Sequence, residues 1–247
     1  MRRRGIKATR PEIKLVEFPE IMIPIFSNVF DRSIESTIEN AIKILSVSDD
    51  TMRDCETNIL NAVGFKADAS PCSGYSIRLL GESFCNSGRL DAEYYQPKYE
   101  LIAQKLNTSE TVLTLCNLHD KTFVPKDKEV YSYIELADVG QSGEISDVER
   151  QYGRDLPSRA RRMVKSGQVI VSSVEGSLQS CALITDEYDG ALCSTGFYVL
   201  DSDKINGETL LVLFKSELIQ ALMKQRCSGT ILTAISKDEI LSMPLPM

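Results

Sequence analysis

The stretch NVFDRSIESTIENAIKILSVSDDTMRDCETNILNAV, residues 28–63, reads as one long helix, and the rest of the chain is best understood from it. Ile34, Ile38, Ala41, Leu45, Ser48, Met52, Cys55, Ile59 and Ala62 recur at steps of four and three without a break. That is the a/d pattern of a coiled-coil seam. No Gly or Pro interrupts it, and Gly64 stands where a helix-ending glycine belongs. At 1.5 Å rise per residue the rod would be about 54 Å long. Two uses remain open: an arm that pairs with another helix, or an amphipathic helix lying on its own domain. So narrow and long a stripe favours the arm.

Working outward, residues 1–26 end in the apolar run Ile21-Met22-Ile23-Pro24-Ile25-Phe26, which reads as a short strand closed by Pro24. Residues 66–88 are rich in Ser, Gly and other small side chains, as in a linker. Residues 89–247 form the globular part. Pro97 can open a helix over residues 98–106. Strand-like runs follow at Val112–Cys116, Val130–Ala137, Val169–Val174, Ala182–Thr185 and Thr195–Leu200, with a turn at Ser142-Gly143. Glu208–Gln225 has the spacing of one helix, Ile231–Ala234 of a short strand, and Lys237–Leu241 of a helical turn before an edge segment at Met243–Pro246. Strands without regular βαβ alternation predict an α+β domain preceded by a long coiled-coil helix. A weak repeat links Glu20–Ile25 to Glu239–Leu245. The first copy leads into the long helix and the second stops where such a helix would begin.

Several chemistries are excluded by what the chain lacks. His119 is its single histidine, so it cannot supply a two-His metal site. No two glycines stand two apart and no Gly-Lys pair occurs, which removes G-x-G cofactor loops and the P-loop. The one E-x-K, Glu12-Ile13-Lys14, has no preceding acid to complete a nuclease carboxylate pair. The seven cysteines are odd in number and contain no C-x-x-C, as expected of reduced cytoplasmic thiols. Met1-Arg2-Arg3-Arg4 is not followed by the apolar core of a signal peptide. No apolar run approaches the 18 or so residues of a membrane span. What remains is a protein that binds.

Charge suggests what it binds. The net charge is −7, yet residues 150–165 hold Arg150, Arg154, Arg159, Arg161, Arg162 and Lys165 against Asp155. That window is +5, leaving −12 elsewhere. A focused basic patch on an acidic body suits local contact with phosphates, although a solvated basic face has the same composition. Val174–Cys181 (VEGSLQSC) lies between two strand-like runs, making Ser177 and Gln179 candidates for base contacts. Thr230, after Gly229, is a candidate for a phosphate contact.

A set of segments carries a resemblance. It comprises IMIPIFSNVFDRSIESTIENAIKIL (21–45) and the rest of the helix, RLDAEYYQPKYELI (89–102), and YIELADVGQSGEI (133–145). LPSRARRMVKSGQVIVSSVEGS (156–177), STGFYVL (194–200) and SGTILTAISKDEILSMPLP (228–246) complete it. In order and spacing these resemble the specificity subunit of type I restriction–modification systems. Such subunits alternate two target recognition domains with two long conserved helices, which pair antiparallel and space two DNA half-sites. Methyltransferase subunits bind the helices and bring S-adenosylmethionine, and a restriction subunit brings ATP-driven translocation and cleavage.

The resemblance implies four segments here: the end of an upstream recognition domain (1–26), one conserved helix (27–65), a linker (66–88) and one complete recognition domain (89–247). A second helix is missing, and Gln168 replaces an acidic residue often found in this motif. The implied protein is a non-catalytic, cofactor-free, cytoplasmic half-subunit that reads double-stranded DNA and directs methyltransferase and restriction subunits. It would self-associate, or meet a second specificity chain, through Ile34, Ile38, Ala41, Leu45, Met52, Cys55 and Ile59. The alternative is a scaffold half-subunit that pairs with another specificity chain without binding DNA itself.

Overall fold

A computed structural model describes residues 27–62, 64, 75–106, 108–146, 148–229 and 233–246. The strand expected at 21–26, the first copy of the repeat and Thr230 lie outside them. The chain divides into two units, 1–48 and 49–247.

Helix α1 spans Asn28–Ala62, as its periodicity requires. Ser27 opens it by accepting the Phe30 amide at its hydroxyl, and Asp31 sits in the positive first turn. Gly64 closes it with φ +72°, a left-handed value that favours glycine. In the first unit Ile34, Ile38, Ile42 and Leu45 are all exposed.

The second unit begins with the last turns of α1 and continues through α2 (Phe84–Ser87), α3 (Pro97–Leu106) and α4 (Val112–Leu115). Strands β1 (Asn117–Leu118), β2 (Val130–Ile134), β3 (Arg150–Tyr152) and β4 (Ala160–Met163) follow, then β5 (Val169–Ser172), β6 (Cys181–Leu183), β7 (Leu192–Ser194) and β8 (Phe197–Asp201). Helices α5 (Gly207–Lys215), α6 (Glu217–Arg226) and α7 (Lys237–Leu241) complete the domain. One sheet is antiparallel with order β1-β8-β5-β6; the other runs β3-β2-β7-β4, with β2 and β7 parallel.

The layers follow from strand alternation. Val169 and Val171 of β5, with Tyr198 and Leu200 of β8, pack against Leu210, Phe214, Ile219, Leu222 and Ile240 of the helices. Their neighbours Ile170, Phe197 and Val199 face the other way, onto Ile134 and Cys193 of the second sheet. A sheet covered on both faces needs apolar residues at consecutive positions, which is why Val169-Ile170-Val171 is an unbroken run. Beyond the second sheet lies a smaller cluster of Tyr131, Tyr133, Ala160 and Leu192, flanked by Phe123 and Leu156.

Three expectations need correction. Val112–Cys116 is not a strand. Thr111 and Thr114 cap each other in a capping box, and Val112 and Leu115, three apart, share one buried helical face. The β-like composition loses to the cap and the core. Glu208–Gln225 is not one helix: Ser216 (φ −60°, ψ 144°) breaks it, ending α5 and capping α6 by accepting the Ile219 amide. The apolar spacing runs through the break because both helices cover the same core.

The long seam is also not one continuous free face. Met52, Cys55 and Ile59 are half-buried within the second unit, and Ile59 and Leu60 pack on the helical core cluster. Asp49 accepts the Ser142 hydroxyl at 3.0 Å and Glu56 accepts the Glu217 amide at 2.7 Å. From Asp49 onward, α1 is therefore a docked amphipathic helix rather than a free arm.

Candidate nucleic-acid interface

The six cations of residues 150–165 are neighbours in sequence but not all in space. Arg150 begins β3 and Arg154 follows it; Arg159 precedes β4, Arg161 and Arg162 lie within it, and Lys165 follows. β3 and β4 are opposite edges of one four-stranded sheet. Three interstrand steps of about 4.8 Å put the two groups roughly 14 Å apart. The fold thus turns one basic run into two basic edges.

The side chains also differ in freedom. Arg150 and Arg159 are exposed. Arg154 stacks over Tyr152 at 5.2 Å and meets Asp155 at 3.6 Å, an exposed pair of little energetic weight. Arg161 donates to the Ser158 carbonyl at 2.9 Å. Arg162 turns inward: it is half-buried, donates to the Phe197 carbonyl at 2.5 Å and lies 5.5 Å over the Tyr198 ring. Its main task is to tie the edge of the second sheet to β8. Lys165 is exposed beside a groove, and its amide is held by the Gln168 side chain at 2.9 Å.

Residues 174–180 lie in the loop between β5 and β6, with Leu178 plugged into the core, and Cys181 begins β6. The Ser177 hydroxyl lies 3.1 Å from that of Ser172 and 3.4 Å from the Val174 carbonyl. It stabilises the turn and has little left to offer a ligand. Gln179 is exposed, and its side chain lines a cleft of about 330 Å³ with Asp49, Arg53, Glu56 and Gln141.

A residue with no sequence signal organises this loop. Lys215, the last residue of α5, donates to the carbonyls of Gln141 at 2.6 Å and Gln179 at 2.9 Å. Burial pushes its ammonium below the usual lysine range. Gly143 makes room for it: with φ +89°, a Cβ there would lie 2.9 Å from the Lys215 Cε. The turn foreseen at Ser142-Gly143 is therefore half of a clamp whose other half lies some 70 residues away.

Arg89, from the RLDAEYYQP segment, chelates Asp91 through two bonds of 2.8 and 2.7 Å and donates to the Gln225 and Cys227 carbonyls at the end of α6. That segment serves docking. Among the described residues no cluster of His, Cys, Asp and Glu could hold a metal ion, and no helix is long and apolar enough to cross a membrane.

The architecture is a long helix leading into a two-sheet α+β domain with basic edges, and it has counterparts among solved structures. No family model and no curated protein matches the chain. A structure from work on "complex assembly and conformational transition of the type I R-M system" matches with a TM-score of 0.51 and 26% identity, over 56% of this chain and 37% of the other. The crystal structure of the HsdS subunit from Thermoanaerobacter tengcongensis aligns over the same shares, with 26% identity and a TM-score of 0.49. The class of fold is thus that of a type I restriction–modification component. Within it, the chain resembles the specificity subunit. The alignment spans little more than a third of those neighbours' length.

Proposed function

We propose that this chain is a DNA-recognition, non-catalytic specificity subunit of a type I restriction–modification assembly. The observation that carries the reading is the fold likeness, at 26% identity, to a chain of such a system. The two basic edges are consistent with it: they would neutralise backbone phosphates and fix register, while the Lys215-clamped loop carrying Gln179 would touch base edges. The exposed apolar face of residues 28–48 would pair with the same face of a second copy, giving two recognition domains suited to a bipartite site. Partner subunits would bring S-adenosylmethionine and ATP, and this chain would hold neither.

The test is a titration of the purified chain with duplexes of random sequence across a range of salt, with and without methyltransferase subunits. Binding whose log affinity falls with log salt by about 0.9 per phosphate contact, and which becomes sequence-selective with the partner, is expected. Salt-independent or absent binding to every duplex, alone and with the partner, overturns the reading.

A further inference from the structure

A polar network lies beside β1, outside the apolar core. β1 pairs with the end of β8 so that Asn117 stands opposite Asp201. Asp201 then collects three donors. Asn117 Nδ2 bonds Oδ1 at 3.1 Å, Gln168 Nε2 bonds Oδ2 at 3.0 Å and His119 Nε2 lies 2.6 Å from Oδ2. Burial raises the Asp201 carboxyl, but the bonds from Gln168 and Asn117 and the His119 charge outweigh it and hold the group below the usual range. Gln168 is a neutral donor in this network. A second carboxylate there would face Asp201.

An ionised carboxylate can only accept, so His119 donates to it through Nε2, and Nδ1 is the ring nitrogen not engaged by Asp201. The ring is exposed and lines a groove of about 520 Å³ with Lys121, Phe123, Met163, Lys165 and Gln168. Both walls are held through backbone amides. The Phe123 amide donates to the Arg161 carbonyl at 2.7 Å, securing the 119–123 segment along the edge strand β4. Gln168 holds the Lys165 amide from the other side. The nearby acids are engaged elsewhere: Asp120 by Lys237, and Asp186 and Asp189 by Ser166. Lys121 and Lys165 are left as exposed cations beside an apolar floor.

From this geometry we infer a DNA contact in this groove: Lys121 and Lys165 take backbone phosphates, and His119, oriented by Asp201, presents Nδ1 to a base edge. The inference rests on the DNA-recognition reading above. Held in one orientation at the groove, that nitrogen distinguishes base edges by the donor or acceptor each presents. Because its walls are pre-formed, little ordering would oppose binding.

The test compares three proteins on the same set of duplexes: the unaltered chain, Lys121→Ala/Lys165→Ala, and His119→Phe, which keeps a ring but has no Nδ1. Losing two phosphate contacts should flatten the salt slope by about 1.8 and weaken binding to all sequences about 30-fold near 0.15 M salt. His119→Phe should keep the slope and lose about 5- to 150-fold discrimination at one base position. Melting temperature, read on each variant, separates these losses from misfolding; the two lysines are exposed and should not move it. If the unaltered chain binds with a salt slope that the lysine pair leaves unchanged, this groove is not a contact while the recognition reading stands. If only His119→Phe is silent, His119 does not read a base. If the unaltered chain shows no salt-dependent binding, the recognition reading falls and takes this site with it.

Discussion

Ile38→Asp with Leu45→Asp probes the exposed half of α1 without touching the globular core. Ile38 is 53% and Leu45 62% exposed. Burying the remaining half of each against a second copy should contribute about 1 kcal/mol per side chain, half the value for a full Ile or Leu. A symmetric pair uses each residue twice, so four side chains supply about 4 kcal/mol, or roughly a thousandfold in dissociation constant. Introducing charges at an apolar seam adds to that loss. Sedimentation equilibrium at micromolar concentration should give dimers for the unaltered chain and monomers for the variant, with an unchanged melting temperature. Ile59→Asp is the contrast: Ile59 packs on the helical core cluster, so this change should lower the melting temperature whatever the oligomeric state. A monomeric unaltered chain, or a variant that still dimerises, refutes the pairing.

Lys215→Met removes two charge-assisted bonds to the Gln141 and Gln179 carbonyls and should cost about 2 kcal/mol, read by denaturant unfolding. Because burial lowers the Lys215 pKa in the folded state, the unfolded chain binds more protons just below pH 10.5. Stability should therefore gain from this group as pH rises through that window, and the gain should vanish in Lys215→Met. Replacing Arg159 and Arg161 by Ala should flatten the salt slope of DNA binding by up to about two units with little change in melting temperature. Arg162→Ala should instead lower melting temperature, because its guanidinium is bonded to the Phe197 carbonyl. Gln168→Glu would set a second carboxylate against Asp201 and should destabilise the domain by about 2–4 kcal/mol at neutral pH, less as pH falls. Thermal melts at pH 5 and 7 check it.

The elements legible in the sequence were those whose signals are local. The 4-3 spacing and Gly64 mark α1, Pro97 opens α3, and Ser236 with the acids after it opens α7 where the helical turn was expected. Val169–Ser172 and Phe197–Asp201 were readable as strands because burial on both faces leaves an apolar run. By contrast β3, β4 and β7, at three or four residues each, carry no period long enough to detect. The interface shows the same division. The charge run 150–165 is plain in the sequence, but only strand order sends its two ends to opposite edges of a sheet and turns Arg162 inward. Lys215, Gln168, Asp201 and His119 act through partners 33 to 82 residues away. A helix's spacing and caps are written within a few residues of one another. Which strand lies beside which is set by the burial of distant segments against one another, so the geometry that makes a binding surface exists only in the folded chain.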